Sequence, residues 1–164
     1  MFIRPITDSY AVTPQIVPAD MAEIKAAGYV HIIDNRPDEE VPEELQGDAI
    51  ETAAKAAGLG FSRIPASHQS LSIAMAKEQS EIVQKAGGPV LAYCASGTRS
   101  TLIWALSRLD TLSVDAIVTA AEKAGYDLEP HRPRLVALQA DYAAKSKKLS
   151  FRATMHRQAI VGAP

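Results

Sequence analysis

Three short strand candidates, at residues 29–33, 61–64 and 89–93, each follow a helix-compatible stretch closed by glycine: Gly28, Gly58 and the pair Gly87-Gly88. Residues 89–93 are the last clear strand candidate; the apolar residues after Tyr93 fall in helical register. Apolar runs of four or five residues bounded by turn signals read as buried strands. Glycine just past the last helical residue supplies the left-handed conformation that ends a helix. Strands separated by helices are joined by crossovers, and crossovers make neighbouring strands parallel. The expected fold is therefore α/β: a small, mostly parallel sheet flanked by helices, with a helical C-terminal half.

Periodicity fills in the helices. Residues 10–12 are a further short strand candidate. Pro18 opens a helix that carries Met21, Ile24 and Ala27, since its fixed φ suits a first turn. Ile50, Ala53, Ala54 and Ala57 share one face of a helix over about 48–57. Ser70 is the expected N-cap of a helix reaching Ala86, with Leu71, Met75, Ile82 and Ala86 on one stripe. After the last strand, Leu102, Ile103, Leu106 and Leu109 fall in helical register, with Trp104 as core. Ser113 caps a helix ended by Gly125, and a third helix over about 132–145 buries Leu135, Leu138 and Tyr142. Residues 1–145 then form a single domain. Residues 146–164, with Lys147, Lys148, Arg152 and Arg157 and no acid, read as a solvated basic tail.

Composition narrows the function classes. A chain of 164 residues suits one domain, and a net charge of −2 is not the footprint of a nucleic-acid binder. One cysteine permits neither an intrachain disulfide nor a Cys-based zinc site. The four histidines lack metal-ligand spacing, and no cofactor is expected. No signal peptide and no run of about 20 apolar residues is seen, so no membrane partner and a cytoplasmic setting are expected.

Chemistry concentrates in one segment, Val90-Leu91-Ala92-Tyr93-Cys94-Ala95-Ser96-Gly97-Thr98-Arg99-Ser100. It reads as strand, small-residue loop and helix start. Loop N–H groups from Ala95, Ser96, Gly97 and Thr98, with the positive end of the helix, form an anion cradle. Arg99 offers a bidentate fork to an oxyanion. A field of this sign favours thiolate, which makes Cys94 a candidate nucleophile. Asn35-Arg36-Pro37-Asp38 follows a strand's carboxyl end, where sites form in open α/β sheets. Asn35 and Arg36 are pocket candidates on that ground.

The segment resembles two anion loops, the Cys-x5-Arg loop of tyrosine and dual-specificity phosphatases and the Cys-x4-Arg loop of rhodaneses. Over residues 5–130 the chain resembles the phosphatase-like domain family of the beta-lactamase-hydrolase-like proteins. The matching stretches are Ile33 to Asp38, Ala53-Ala54 to Phe61 with Ile64-Pro65, Pro89 to Trp104, and Ala124-Gly125-Tyr126-Asp127. The resemblance implies a (phosphotyrosine protein phosphatase)-like fold. Fused members of the family imply a sulfide-oxidising partner enzyme.

Two features favour sulfur transfer over phosphate hydrolysis. Only four residues separate Cys94 from Arg99, a rhodanese-sized cradle. The loop after Pro65, Ala66-Ser67-His68-Gln69-Ser70, carries no carboxylate to protonate a leaving group; Asp38 or Glu40 would have to substitute, or His68. The helical second half favours a phosphatase instead. The leading expectation is a sulfurtransferase that accepts sulfur from thiosulfate or a persulfide as a Cys94 persulfide. The alternative is a phosphatase that attacks a phosphoester through Cys94, with Ser100 assisting thiolate departure. An anion-binding pseudoenzyme regulating a partner is the third reading.

Overall fold

The computed structural model describes the backbone of residues 1–161 and the side chains of residues 1–145 and Lys147. In chain order the elements are β1 (Arg4–Thr7), β2 (Tyr10–Thr13), α1 (Met21–Ala26), β3 (His31–Asp34), α2 (Gly47–Ala56), β4 (Gly60–Arg63), α3 (Ile73–Lys85), β5 (Val90–Tyr93), α4 (Thr98–Ser107), α5 (Val114–Lys123) and α6 (Arg132–Val161). The sheet order is β1-β2-β5-β3-β4. All neighbours pair in parallel except β1, which runs antiparallel to β2.

Successive strand side chains point to opposite faces, and the two faces carry separate cores. Tyr10, Val12, Ile33, Val90 and Ala92 face α3, α4, α5 and α6, meeting Leu102, Ile103, Ile117 and Leu135. Ala11, Ile32, Leu91 and Tyr93 face the other way, onto Ile16, Met21, Ile24, Ile50 and Ala54. Both faces are covered, which is why the central strand β5, Val-Leu-Ala-Tyr, reads as a continuous apolar run rather than an alternating one. Trp104 lies in the first core, as expected, 2% exposed.

The sequence expectations hold for the three strand candidates and for the helix-stopping glycines, whose φ values are 90° at Gly28, 72° at Gly58 and 73° at Gly87. Three details differ. Strand β1 went unseen because Arg-Pro-Ile-Thr has no apolar run; Pro5 is tolerated there since the strand is an edge. The N-cap of α3 is Ser72, not Ser70, its hydroxyl accepting from Met75 N at 3.3 Å. Ser70 instead closes a turn with Ser67, each hydroxyl taking the other's backbone N–H. Helix α6, expected to end at Lys145, continues to Val161. The side chains of Lys148, Arg152 and Arg157 in the expected basic tail lie outside the described residues. Among the described residues no helix is long and apolar enough to cross a membrane.

Asp34 ends β3 almost fully buried, 3% exposed, opposite Tyr93 of β5. Its Oδ1 accepts the Arg36 N–H at 2.8 Å. Burial outweighs that bond and pushes the Asp34 pKa up to about 6. The folded pKa lies above the unfolded one, so the protonated form stabilises the fold. That stability is full below the ordinary carboxylate range and is lost as pH rises through about 6. Asp34→Asn retains the acceptor for Arg36 without the buried charge. It is expected to raise stability near pH 8 by about 2–3 kcal/mol and to change little near pH 4. Paired denaturant titrations at the two pH values check this; an equal effect at both would sink it.

Candidate active site

Cys94 is the first residue beyond β5, the central strand, and is fully buried. From there the chain needs three residues to enter α4. Gly97 closes that turn at φ 91°, open to glycine and strained for residues with a Cβ. A methyl group there would also fall inside the Tyr126 hydroxyl. The turn aims the Gly97 N–H at Cys94 Sγ, 3.1 Å away. The Ser96 and Thr98 hydroxyls bond to each other at 3.0 Å on the rim. The loop therefore sets a donor on the sulfur at the N-terminus of a ten-residue helix, a natural place for negative charge.

Arg99, 6% exposed, is fixed by an acceptor set that leaves one edge open. Its Nη1 donates to Glu40 Oε1 at 2.8 Å and to the Ala66 carbonyl at 2.6 Å; its Nη2 donates to Glu40 Oε2 at 2.7 Å. A guanidinium has five donors in a rigid fork. Three are thus committed. The Nε–H and the second Nη2 hydrogen remain, and the guanidinium faces the Cys94 sulfur. Glu40 first, and Cys94 after it, raise the Arg99 pKa, while Arg99 and then Arg36 hold the Glu40 carboxyl below its usual range. The Glu40 contribution to stability is therefore lost on acidification, the opposite sign to Asp34. Arg36 completes a relay: Nε lies 3.4 Å from Glu40 Oε2, and Nη1 donates to Gln15 Oε1 at 3.0 Å.

The other expected site residues fall into two groups. Ser100 lies directly behind the loop, fully buried, its hydroxyl without a partner among the described residues. Asn35 is equally buried but structural: Nδ2 donates to Ile64 O and to Gln79 Oε1, both at 3.1 Å, tying β3 to the chain after β4 and to α3. Asp38 points away, accepting the Gly47 N–H at 2.7 Å and facing Arg63 at 3.8 Å. Glu40 is the carboxylate of that loop that reaches Arg99. His68 is exposed on the loop after β4. A cavity lined by Asp34, Arg36, Arg63 and Ser67 lies beside this loop and includes neither Cys94 nor Arg99. Among the described residues no group of three His, Cys, Asp or Glu side chains could hold a metal ion.

Three residues of the site escape sequence reading. Gln79 donates to Tyr10 Oη at 2.8 Å, and Tyr10 Oη donates to the Ser100 carbonyl at 2.9 Å. Tyr126 Oη donates to the Ser96 carbonyl at 3.1 Å. Gln79 did leave a signal, as a polar residue four positions after Met75 on the partly buried Met75–Ile82 stripe. Tyr126 falls in a family-matching stretch and Tyr10 in a strand candidate, but neither left a signal of its role, since their partners are backbone carbonyls distant in sequence.

Residues 2–111, two thirds of the chain, match the family model for the phosphatase-like domain of beta-lactamase hydrolase-like proteins. The chain belongs to this family. A beta-lactamase hydrolase-like protein of Xylella fastidiosa is 30% identical over 130 residues, 78% of this chain and 30% of the relative. The chain thus spans about a third of the length of that relative. A phosphatase candidate from Neisseria meningitidis has 32% identity and a TM-score of 0.77, covering 84% of this chain and 99% of the other. A second phosphatase candidate, from Shewanella putrefaciens, shares the fold at 18% identity and a TM-score of 0.63, over 87% and 89% of the two chains. The (phosphotyrosine protein phosphatase)-like fold expected from the sequence is the fold found.

These findings overturn the leading sulfurtransferase expectation. The family is phosphatase-like, the shared fold is that of phosphatase candidates, and the rhodanese-like reading falls with its thiosulfate and persulfide donors. The loop length misled because spacing alone does not set the chemistry. A turn one residue shorter is closed here by the positive φ of Gly97, and it still leaves a guanidinium edge over the sulfur.

Proposed function

We propose that the domain is a cysteine-dependent phosphatase that cleaves a phosphoester through a Cys94 phosphocysteine. The observation that carries this is the pairing of the buried Cys94 sulfur with an Arg99 fork of which three donors are fixed by Glu40 and Ala66 and the Nε–Nη2 edge is not taken by them. In this reading the Nε–Nη2 edge takes two phosphoryl oxygens and the Gly97 N–H supports the sulfur. The thiolate attacks phosphorus, an S–P bond forms, and the ester P–O bond breaks. Water then attacks phosphorus, releasing inorganic phosphate and the thiolate. The unpartnered Ser100 hydroxyl is available to the departing sulfur.

The carboxylates near the loop are committed: Glu40 to Arg99, Asp38 to the Gly47 N–H, Asp34 to the Arg36 N–H. Glu40 and Asp38 are not ready proton donors, and Asp34, though its pKa is pushed up to about 6, lines a cavity that includes neither Cys94 nor Arg99, which favours leaving groups stable as anions. A cytoplasmic setting, where thiols stay reduced, suits this chemistry. The test is a direct comparison of p-nitrophenyl phosphate with an alkyl phosphate, together with acid-quench trapping of the phosphoenzyme. Hydrolysis of the aryl ester at least about 100-fold faster, with one trapped phosphate on Cys94, is the expected result. Hydrolysis without a trapped phosphocysteine would refute the covalent route.

A further inference from the structure

We propose that Tyr126 is a positioning residue for Cys94: its hydroxyl holds the Ser96–Gly97 peptide in the orientation that aims the Gly97 N–H at the sulfur. The catalytic consequence rests on the phosphatase reading; the effect on the sulfur itself does not.

The two ends of a single peptide unit carry the argument. Its carbonyl, on Ser96, accepts from Tyr126 Oη at 3.1 Å. Its N–H, on Gly97, donates to Cys94 Sγ at 3.1 Å. In a planar trans peptide the C=O and N–H point in opposite directions, so fixing one end fixes the other. This peptide needs fixing, because glycine permits backbone angles on both sides of zero and opposes a flip only weakly. Flipped, the unit would turn a carbonyl oxygen toward the sulfur, and a donor to an anion would become a repulsive acceptor.

Tyr126 is itself held. The Arg4 guanidinium lies 5.4 Å over its ring, and Arg4 Nη1 donates to the Ala124 and Gly125 carbonyls at 3.1 and 3.3 Å. The edge strand β1 thereby fastens the turn after α5 against the anion loop. Burial, followed by the charge of Cys94, raises the Tyr126 pKa, so the phenol stays protonated and remains a donor at neutral pH. The other titratable or charged groups facing Cys94 are Arg99 and Tyr10. Removing the Tyr126 hydroxyl leaves both in place.

The experiment compares the full chain with Tyr126→Phe and Arg4→Met. The rate of Cys94 alkylation by iodoacetamide is followed from about pH 5.5 to 8, alongside the kcat/KM profile for p-nitrophenyl phosphate and the melting temperature. Loss of one hydrogen bond to the loop is expected to slow alkylation of Tyr126→Phe near pH 6 by about 3- to 10-fold. The acid limb of kcat/KM moves to higher pH, while the melting temperature changes little. Arg4→Met shifts both profiles the same way by less, and it carries the test if Tyr126→Phe does not fold. Wild-type alkylation and an unmoved limb in the variants would overturn the proposal, whatever happens to overall activity. Absence of phosphate hydrolysis in the wild type would sink the phosphatase reading alone, since the alkylation comparison still decides the role of Tyr126.

Discussion

Cys94→Ser is expected to lower kcat for p-nitrophenyl phosphate by at least about 10⁴-fold while the domain stays folded and still binds an oxyanion. The reason lies in what surrounds the sulfur. The Gly97 N–H and the Arg99 guanidinium both donate toward it. Donors stabilise an anion that already exists; they cannot take a proton from a serine hydroxyl. No second cysteine exists to substitute. The cradle itself is untouched, because Glu40 and Ala66 fix Arg99 independently of Cys94. Steady-state kinetics paired with tungstate binding by calorimetry separates these effects. Residual turnover above about 1% of wild type would remove Cys94 from the nucleophile role.

The second large effect belongs to Gly97→Ala. Two separate penalties meet at this position. A residue with a Cβ held at φ 91° costs about 1–2 kcal/mol. The new methyl also overlaps the Tyr126 hydroxyl, and overpacking of this kind costs about 1–3 kcal/mol. The sum, about 2–5 kcal/mol, is expected as a fall in denaturant midpoint with a large loss of activity. Adding Tyr126→Phe removes the overlapping oxygen but not the backbone strain. The double variant is therefore expected to be less destabilised than the sum of the two single changes. Strict additivity would show that the methyl does not meet the Tyr126 hydroxyl, contrary to the packing described above.

Both predictions concern a loop that is legible in the sequence, yet much of what holds it is not. Cys94, Gly97 and Arg99 stand out because residue type and spacing suffice to mark an anion cradle after a buried strand. The carboxylate partner of Arg99 is less visible. Asp38, Glu39 and Glu40 are adjacent, and only the path of the turn over residues 38–40 decides which of them reaches the guanidinium. Asn35 reads as a pocket group because it is polar at a strand's carboxyl edge; in the structure its Nδ2 joins three elements, while its buried Oδ1 has no partner among the described residues. The choice between sulfur and phosphoryl transfer also depends on more than the loop's length.

The sequence by itself determined the α/β class, the strands β3, β4 and β5, the helix-stopping glycines and the position of the nucleophile candidate. Each is a local property: burial of a short apolar run, a left-handed turn, or a strand running directly into a helix. Only the tertiary structure decided the strand order that inserts β5 between β2 and β3. It also decided the arrival of Glu40 at Arg99 from 59 residues away and of Tyr126 at Ser96 from 30. Such contacts satisfy buried donors and acceptors that must find partners somewhere. Which partners they find depends on which elements pack together, and periodicity along the chain carries no record of that.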